Sequence, residues 1–233
     1  NIQASLKAVG SNEFPAIEYA ESPQLPFAIE FVSPRCFRIR AVSGFQAKAQ
    51  QESLMLVGGK APKGDLWQVS TVRGGYRYSS EYGSVTILSR PWRLEIRDKS
   101  GKLLTRSINQ GDSSETYTPF LPFGYVRRAS DYSRSMNAVF SLSPDEKIFG
   151  CGESFTRLDK RGQKVVLYTD DANGVQNETM YKPIPFFMSS QGYGIFMHTS
   201  TPITCDFGKS YNGIYSLMIG DDELDLFVFL GEP

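Results

Sequence analysis

The sequence is short of the residues on which much catalytic and metal chemistry depends. Its 233 residues include one histidine, His198, and three cysteines, Cys36, Cys151 and Cys205. A single histidine excludes a His-rich metal site. It also leaves a Ser-His-Asp triad only one candidate base, with no GxSxG elbow beside it. The cysteines are widely spaced and form no CxxC pair, so neither zinc nor a disulfide framework is expected. They read as buried, unpaired thiols. Phosphate-loop and dinucleotide patterns are missing as well. The nearest candidate, Gly150-Cys151-Gly152, lacks a third glycine and a helix after it. No cofactor is expected.

An excess of charge is absent too. Lys and Arg total 25, Asp and Glu total 25, and the net charge is zero. No surplus of positive charge is available to neutralise phosphates, which argues against nucleic acid as a partner. No polybasic run seeks an anionic membrane surface. No stretch reaches the roughly 18 apolar residues of a membrane span. The chain opens on Asn1 with no signal-peptide pattern. The compartment therefore stays open: periplasmic or secreted if a signal was removed, otherwise cytoplasmic.

What is present is aromatic and alternating. There are 16 Phe, 12 Tyr and 2 Trp, a composition that suits pleated sheets and, as a sharper alternative, sugar stacking. The dominant period is two. Phe27, Ile29 and Phe31 share one face of a strand. Phe37, Ile39 and Ala41 oppose Arg38 and Arg40. Trp92, Leu94 and Ile96 alternate with Arg93, Glu95 and Arg97. Each segment is a half-buried antiparallel strand. Leu224 to Leu230 is apolar on both faces except at Asp225 and reads as a central strand. Turn signals at Gly58-Gly59, Gly74-Gly75, Lys99-Ser100-Gly101, Asn173-Gly174 and Asn212-Gly213 separate the runs. Ala47 to Leu56 is the only stretch ambiguous with a helix. The expected fold is all-β, an antiparallel β-sandwich. Residues 25–233 form one domain, with residues 1–24 as N-terminal strands packing on it.

Carboxylates are the remaining chemical candidates. Glu153, Asp159, Asp170, Asp171, Glu178 and Asp206 fall in the C-terminal third. A glycosidase needs two carboxylates about 5–10 Å apart, which spacing in sequence does not show. Asp is also a good turn former. The stretch from Leu167 to Lys182 stands apart: long, polar, flanked by strands, and holding Asp170, Asp171 and Tyr181. A long ordered loop on a β scaffold is often functional, and equally it is a surface excursion.

Five segments in consistent order resemble glycoside hydrolase family 31. Ile148–Phe155 (IFGCGESF) resembles the family's "YGxGE-F" segment, introduced by Phe140–Glu146. Tyr181–Met188 (YKPIPFFM) and Gly192–Phe196 (GYGIF) resemble its "YxxxPFY(M/L)…GYG(V/I)" strand pair. Arg93–Leu104 resembles its "lrIxdxxGkxL" hairpin, and Leu224–Gly231 resembles the strand that closes the domain. The match runs over roughly residues 25–231.

The resemblance implies a galactose-mutarotase-like supersandwich that precedes a catalytic (β/α)8 barrel. Both catalytic aspartates of such enzymes lie in the barrel, so the fragment itself is expected to be inactive. The implied partners are that barrel, which would follow residue 233, and an α-linked oligosaccharide. The implied activity is retaining hydrolysis of α-glycosides in carbohydrate degradation, with YKPIP resembling the α-xylosidase branch more than the maltase or α-glucosidase branch. In the family the domain's long loop helps shape the substrate pocket, and its acid aligns with Asp171. Here Tyr168-Thr169 replaces the usual Trp-Asn and the loop is a residue longer, so Asp170 is the alternative. Tyr181 is a candidate to add a flat apolar face to the same rim. A stand-alone carbohydrate-binding module is the competing reading. A mutarotase-like epimerase resembles a two-histidine site, which one histidine excludes.

Overall fold

A computed structural model describes residues 2–3, 24–43, 53–56, 66–90, 92–108, 122–127, 133–169 and 182–231. Among them every regular element is a strand and every pairing is antiparallel. Short β1 (Ile2–Gln3) pairs β2 (Gln24–Leu25). A six-stranded sheet is built from β3 (Phe27–Ser33), β4 (Cys36–Val42), β12 (Ile148–Glu153), β14 (Lys182–Ser189), β15 (Tyr193–Met197) and β18 (Glu223–Leu230), in the order β12-β14-β15-β18-β4-β3. A five-stranded sheet takes β10 (Phe123–Arg127), β11 (Arg134–Ser141), β13 (Lys164–Leu167), β16 (Ile203–Phe207) and β17 (Ile214–Ile219), in the order β10-β11-β17-β16-β13. The third sheet is a meander of β5 (Gln68–Val72), β6 (Gly75–Ser80), β7 (Gly83–Ser89), β8 (Trp92–Asp98) and β9 (Leu103–Arg106).

The pleat explains the core. Phe187, Ile195, Val228 and Phe37 stand opposite one another on four neighbouring strands, and each is buried. They meet Phe140, Phe207, Tyr215 and Leu217 of the five-stranded sheet, with Phe187 edge-on to Phe207 at 5.0 Å. This is a β-sandwich, as the alternation predicts. In β8, Leu94 and Ile96 are fully buried and Trp92 packs half-buried against Phe27 and Phe123. Arg97 and Glu95 pair on the other side at 2.9 Å. The turns at Gly74, Gly101 and Asn212-Gly213 fall where expected. Gly58-Gly59 and Asn173-Gly174 lie outside the described residues. Residues 53–56 of the helix-ambiguous stretch form a turn. The strand β18 sits between β15 and β4, as its two-sided apolarity requires.

The meander is fastened to the sandwich by polar contacts. Trp67 Nε1 donates to Ser33 O at 2.9 Å, and Ser80 Oγ donates to Pro34 O at 2.6 Å. On the opposite edge Thr105 Oγ1 donates to Ser141 O, and Ser107 bridges Phe140.

Candidate functional site

The expected rim residues Asp170, Asp171 and Tyr181 lie outside the described residues, as does Glu178. The stems of their loop are described. Strand β13 belongs to the five-stranded sheet and β14 to the six-stranded one, so the two stems stand in different layers. Around the stems, Phe155, Leu158, Tyr168 and Ile184 are all more than half exposed.

Gly150-Cys151-Gly152 lies on β12 against an irregular stretch of β14, and it is not a phosphate loop. The three residues have φ of 119°, 69° and 83°. Opposite them β14 makes a bulge: Gly150 faces Phe187 and Gly152 faces Pro183. The bulge holds Pro185, whose missing N–H a regular central strand would not tolerate. A Cβ on Gly150 would stand 2.6 Å from Phe186 O, and one on Gly152 would meet Lys182 O. Both glycines are therefore required by close backbone approach as well as by φ. Cys151, between them, is a non-glycine residue in the left-handed region, which costs about 1–2 kcal/mol. All three cysteines are free and buried, as expected, and burial pushes the Cys36 thiol up to about 12.

Beyond β12, Lys160 is almost fully buried and donates from Nζ to Ser154 Oγ, Thr156 Oγ1 and Arg157 O. Its burial lowers its pKa from the ordinary lysine value. This staple fixes the turn that carries Phe155. Two of the acids singled out in the sequence serve turns. Asp159 Oδ1 accepts from Ile148 N and Arg161 N. Asp206 accepts from Lys209 N, Ser210 N and Ser210 Oγ. Glu153 is exposed, 4.0 Å from Lys182 Nζ.

The sequence pattern missed a buried acid. Glu146 is fully buried and accepts from Ser189 Oγ at 2.6 Å, Tyr193 OH at 2.6 Å and Ser143 N at 2.9 Å. Burial raises the pKa of Tyr193 and of neighbouring Tyr215. In sequence Glu146 reads as an ordinary turn acid after Ser143-Pro144-Asp145.

The lone histidine also has unexpected company. With the proton on Nδ1, His198 donates to Asp225 Oδ2 at 2.7 Å, and its Nε2 accepts from Ser53 Oγ at 2.6 Å. The connectivity is that of a hydrolase relay. Arg38, however, already grips both oxygens of Asp225, at 2.7 and 2.6 Å. That bidentate contact raises the Arg38 pKa further above its ordinary value. The carboxylate charge that would stabilise an imidazolium is thus matched by a guanidinium. His198 packs among Phe196 and Phe227, and the network reads as a staple holding the turn 53–56 on the sheet.

Among the described residues no group of three His, Cys, Asp or Glu side chains is placed to hold a metal ion. No helix of the described residues is long and apolar enough to cross a membrane. A shallow cleft lined by Ser133, Arg134, Gly220, Asp221 and Asp222 has no aromatic wall for a sugar ring.

Residues 26–206 match the sequence profile of the "Glycosyl hydrolase 31 N-terminal galactose mutarotase-like domain". An α-xylosidase of Emericella nidulans is 32% identical over 139 residues, 58% of this chain and 17% of that protein. An α-xylosidase of Lactiplantibacillus pentosus is 42% identical over 74 residues, 32% of this chain and 10% of that protein. The chain thus spans less than a fifth of either relative. Among solved structures, a family 31 dextranase of Flavobacterium johnsoniae complexed with glucose superposes with a TM-score of 0.70 at 24% identity, over 89% of this chain and 24% of that one. A family 31 α-xylosidase from a soil metagenome complexed with xylose gives 0.71 at 20% identity, over 90% and 30%. At such identities the structural likeness shows the fold alone.

Proposed function

The chain belongs to the family 31 glycoside hydrolase N-terminal galactose-mutarotase-like domains, and from that premise we propose that it is the non-catalytic domain of a longer retaining α-glycosidase, an α-xylosidase or α-glucosidase. It packs on a catalytic barrel and lends the loop 168–182 to the substrate rim. The observation that carries the reading is the profile match over 26–206, joined to relatives several times longer than this chain. Three further features support it. Of the acids described, Asp159 and Asp206 serve turns, Glu146 and Asp225 are buried in structural hydrogen bonds and an ion pair, and Glu153 is exposed beside Lys182. The sole histidine is held in a structural staple. On and near the loop's stems, Phe155, Leu158, Tyr168 and Ile184 are exposed apolar side chains.

In this reading Asp171, or Asp170 in the alternative alignment, accepts hydrogen bonds from sugar hydroxyls. A carboxylate suits that task because it offers two acceptor oxygens and charge-assisted bonds. Tyr181 presents a flat apolar face with a polar tip. The domain boundary near residue 25 belongs to the same proposal. The test is direct. The 233-residue chain and the longer polypeptide are each incubated with aryl α-xyloside and aryl α-glucoside. The expected result is turnover by the longer polypeptide alone. Turnover by the short chain, lost on mutating one of its own residues, would overturn the assignment.

A further inference from the structure

The outer face of the six-stranded sheet is divided in two. On β3, β4 and the start of β18 it carries Arg38, Arg40, Glu30, Glu223 and Asp225, paired with one another. On β12, β14, β15 and the end of β18 the same face is apolar. Phe149 stands opposite Met188, Met188 opposite Gly194, and Gly194 opposite Phe229. The Phe186 ring leans into the space that Gly194 leaves, where a Cβ would come within 3.0 Å of it, and meets Phe229 edge-on at 6.0 Å. Ile184, Met188 and Phe229 are 53%, 51% and 39% exposed. An outward sheet face normally alternates to polar residues, and a contiguous apolar patch on a domain marks an interaction surface.

We propose that this half-face, with Ile184, Phe186, Met188 and Phe229, together with Phe155 and Leu158 of the turn beyond β12, is the surface that docks against the catalytic domain of the same polypeptide. The proposal rests on the function proposed above. Three observations select that occupant. The chain covers 17% of the Emericella α-xylosidase and 24% of the dextranase chain, so in such relatives most of the polypeptide lies outside this domain. The patch is continuous with the loop stem, because Ile184 follows Lys182 on β14. Its chemistry is that of a permanent interface, which is more apolar than a transient one. The Lys160 staple also holds Phe155 in a fixed turn, so the surface is ordered before the partner arrives.

The experiment places Ile184→Glu and Met188→Glu together in the 233-residue chain and in the longer polypeptide. Both side chains are half exposed here, so the short variant should keep its circular dichroism and melting temperature. In the longer polypeptide the single calorimetric transition should split into two, and kcat/KM should fall at least about tenfold as the loop loses its placement. Tyr76→Glu, at a 55% exposed position on the meander, is the control and should change neither. Unaltered unfolding and activity in the doubly substituted polypeptide would overturn the docking face. So would a short chain that sediments as a dimer through this patch while the longer polypeptide ignores the substitutions, since the occupant would then be a second copy. A wild-type polypeptide inactive on every α-glycoside would remove the functional reading, while the split of the transition would still decide the face.

Discussion

One sheet face holds two opposite solutions to exposure. In its β3–β4 half, polar groups close on one another. Arg38 is only 5% exposed yet has Asp225 and Glu30 as partners, and its guanidinium lies 5.0 Å above the Phe227 ring. In its β12–β14 half, apolar groups are left to water. Ionic groups find partners within one chain because their contacts are directional and satiable. Apolar area is satisfied only by being covered. The first half is therefore satisfied among the described residues, and the second leaves apolar area exposed.

The sharpest way to break this comparison is to open the closed half. Asp225→Ala leaves the Arg38 guanidinium buried without its main partner and should cost about 3–5 kcal/mol, read by urea unfolding. A loss below about 1 kcal/mol would mean that water reaches Arg38 and that the half is not closed. The inner face supplies the next calibration. Leu94 is fully buried, so Leu94→Ala should cost about 2–5 kcal/mol, without the salt dependence expected of a charged site.

How legible these features were depends on sequence distance. Trp92 to Asp98 announces itself because alternation is local, and five short motifs sufficed to point to the family. Arg38 and Asp225 are 187 positions apart, and Ser53 and His198 are 145 apart. Each of these residues looks ordinary alone, and only the closure of the sheet between β4 and β18 brings them together. Glu146 was hidden for another reason. Its turn-like setting after Pro144 suggests exposure, and only the packing of Tyr193 and Ser189 over it makes it a buried acceptor. The strand face bearing Arg38 and Arg40 was legible, but their burial by ion pairing was not. The two prolines of β14 likewise make sense only beside the bulge opposite Cys151.

Two smaller effects refine the contrast. In the longer polypeptide, loss of the proposed rim acid by Asp171→Ala, or by Asp170→Ala in the alternative register, should lower kcat/KM by about 10–100-fold, with stability changed by less than about 0.5 kcal/mol. Full activity in both variants would make the loop purely structural. Within the ionic half, the Glu30 side chain is 45% exposed. Glu30→Gln should cost no more than about 1 kcal/mol, and the difference should vanish in about 1 M salt. A cost as large as that of Asp225→Ala would show that the rim of the network matters as much as its centre.

The loop between Leu167 and Lys182 is anchored in two different layers, and this gives it a mechanical property. The stems of a hairpin ride on one sheet, whereas these two stand on either side of the joint between sheets. Any sliding of the five-stranded sheet against the six-stranded one changes the distance between its feet. The packing of Phe187 against Phe207 and Tyr215 is one of the contacts made across that joint. A cavity cut there would therefore act at a distance, loosening the loop through its footing while leaving every residue of the loop unchanged.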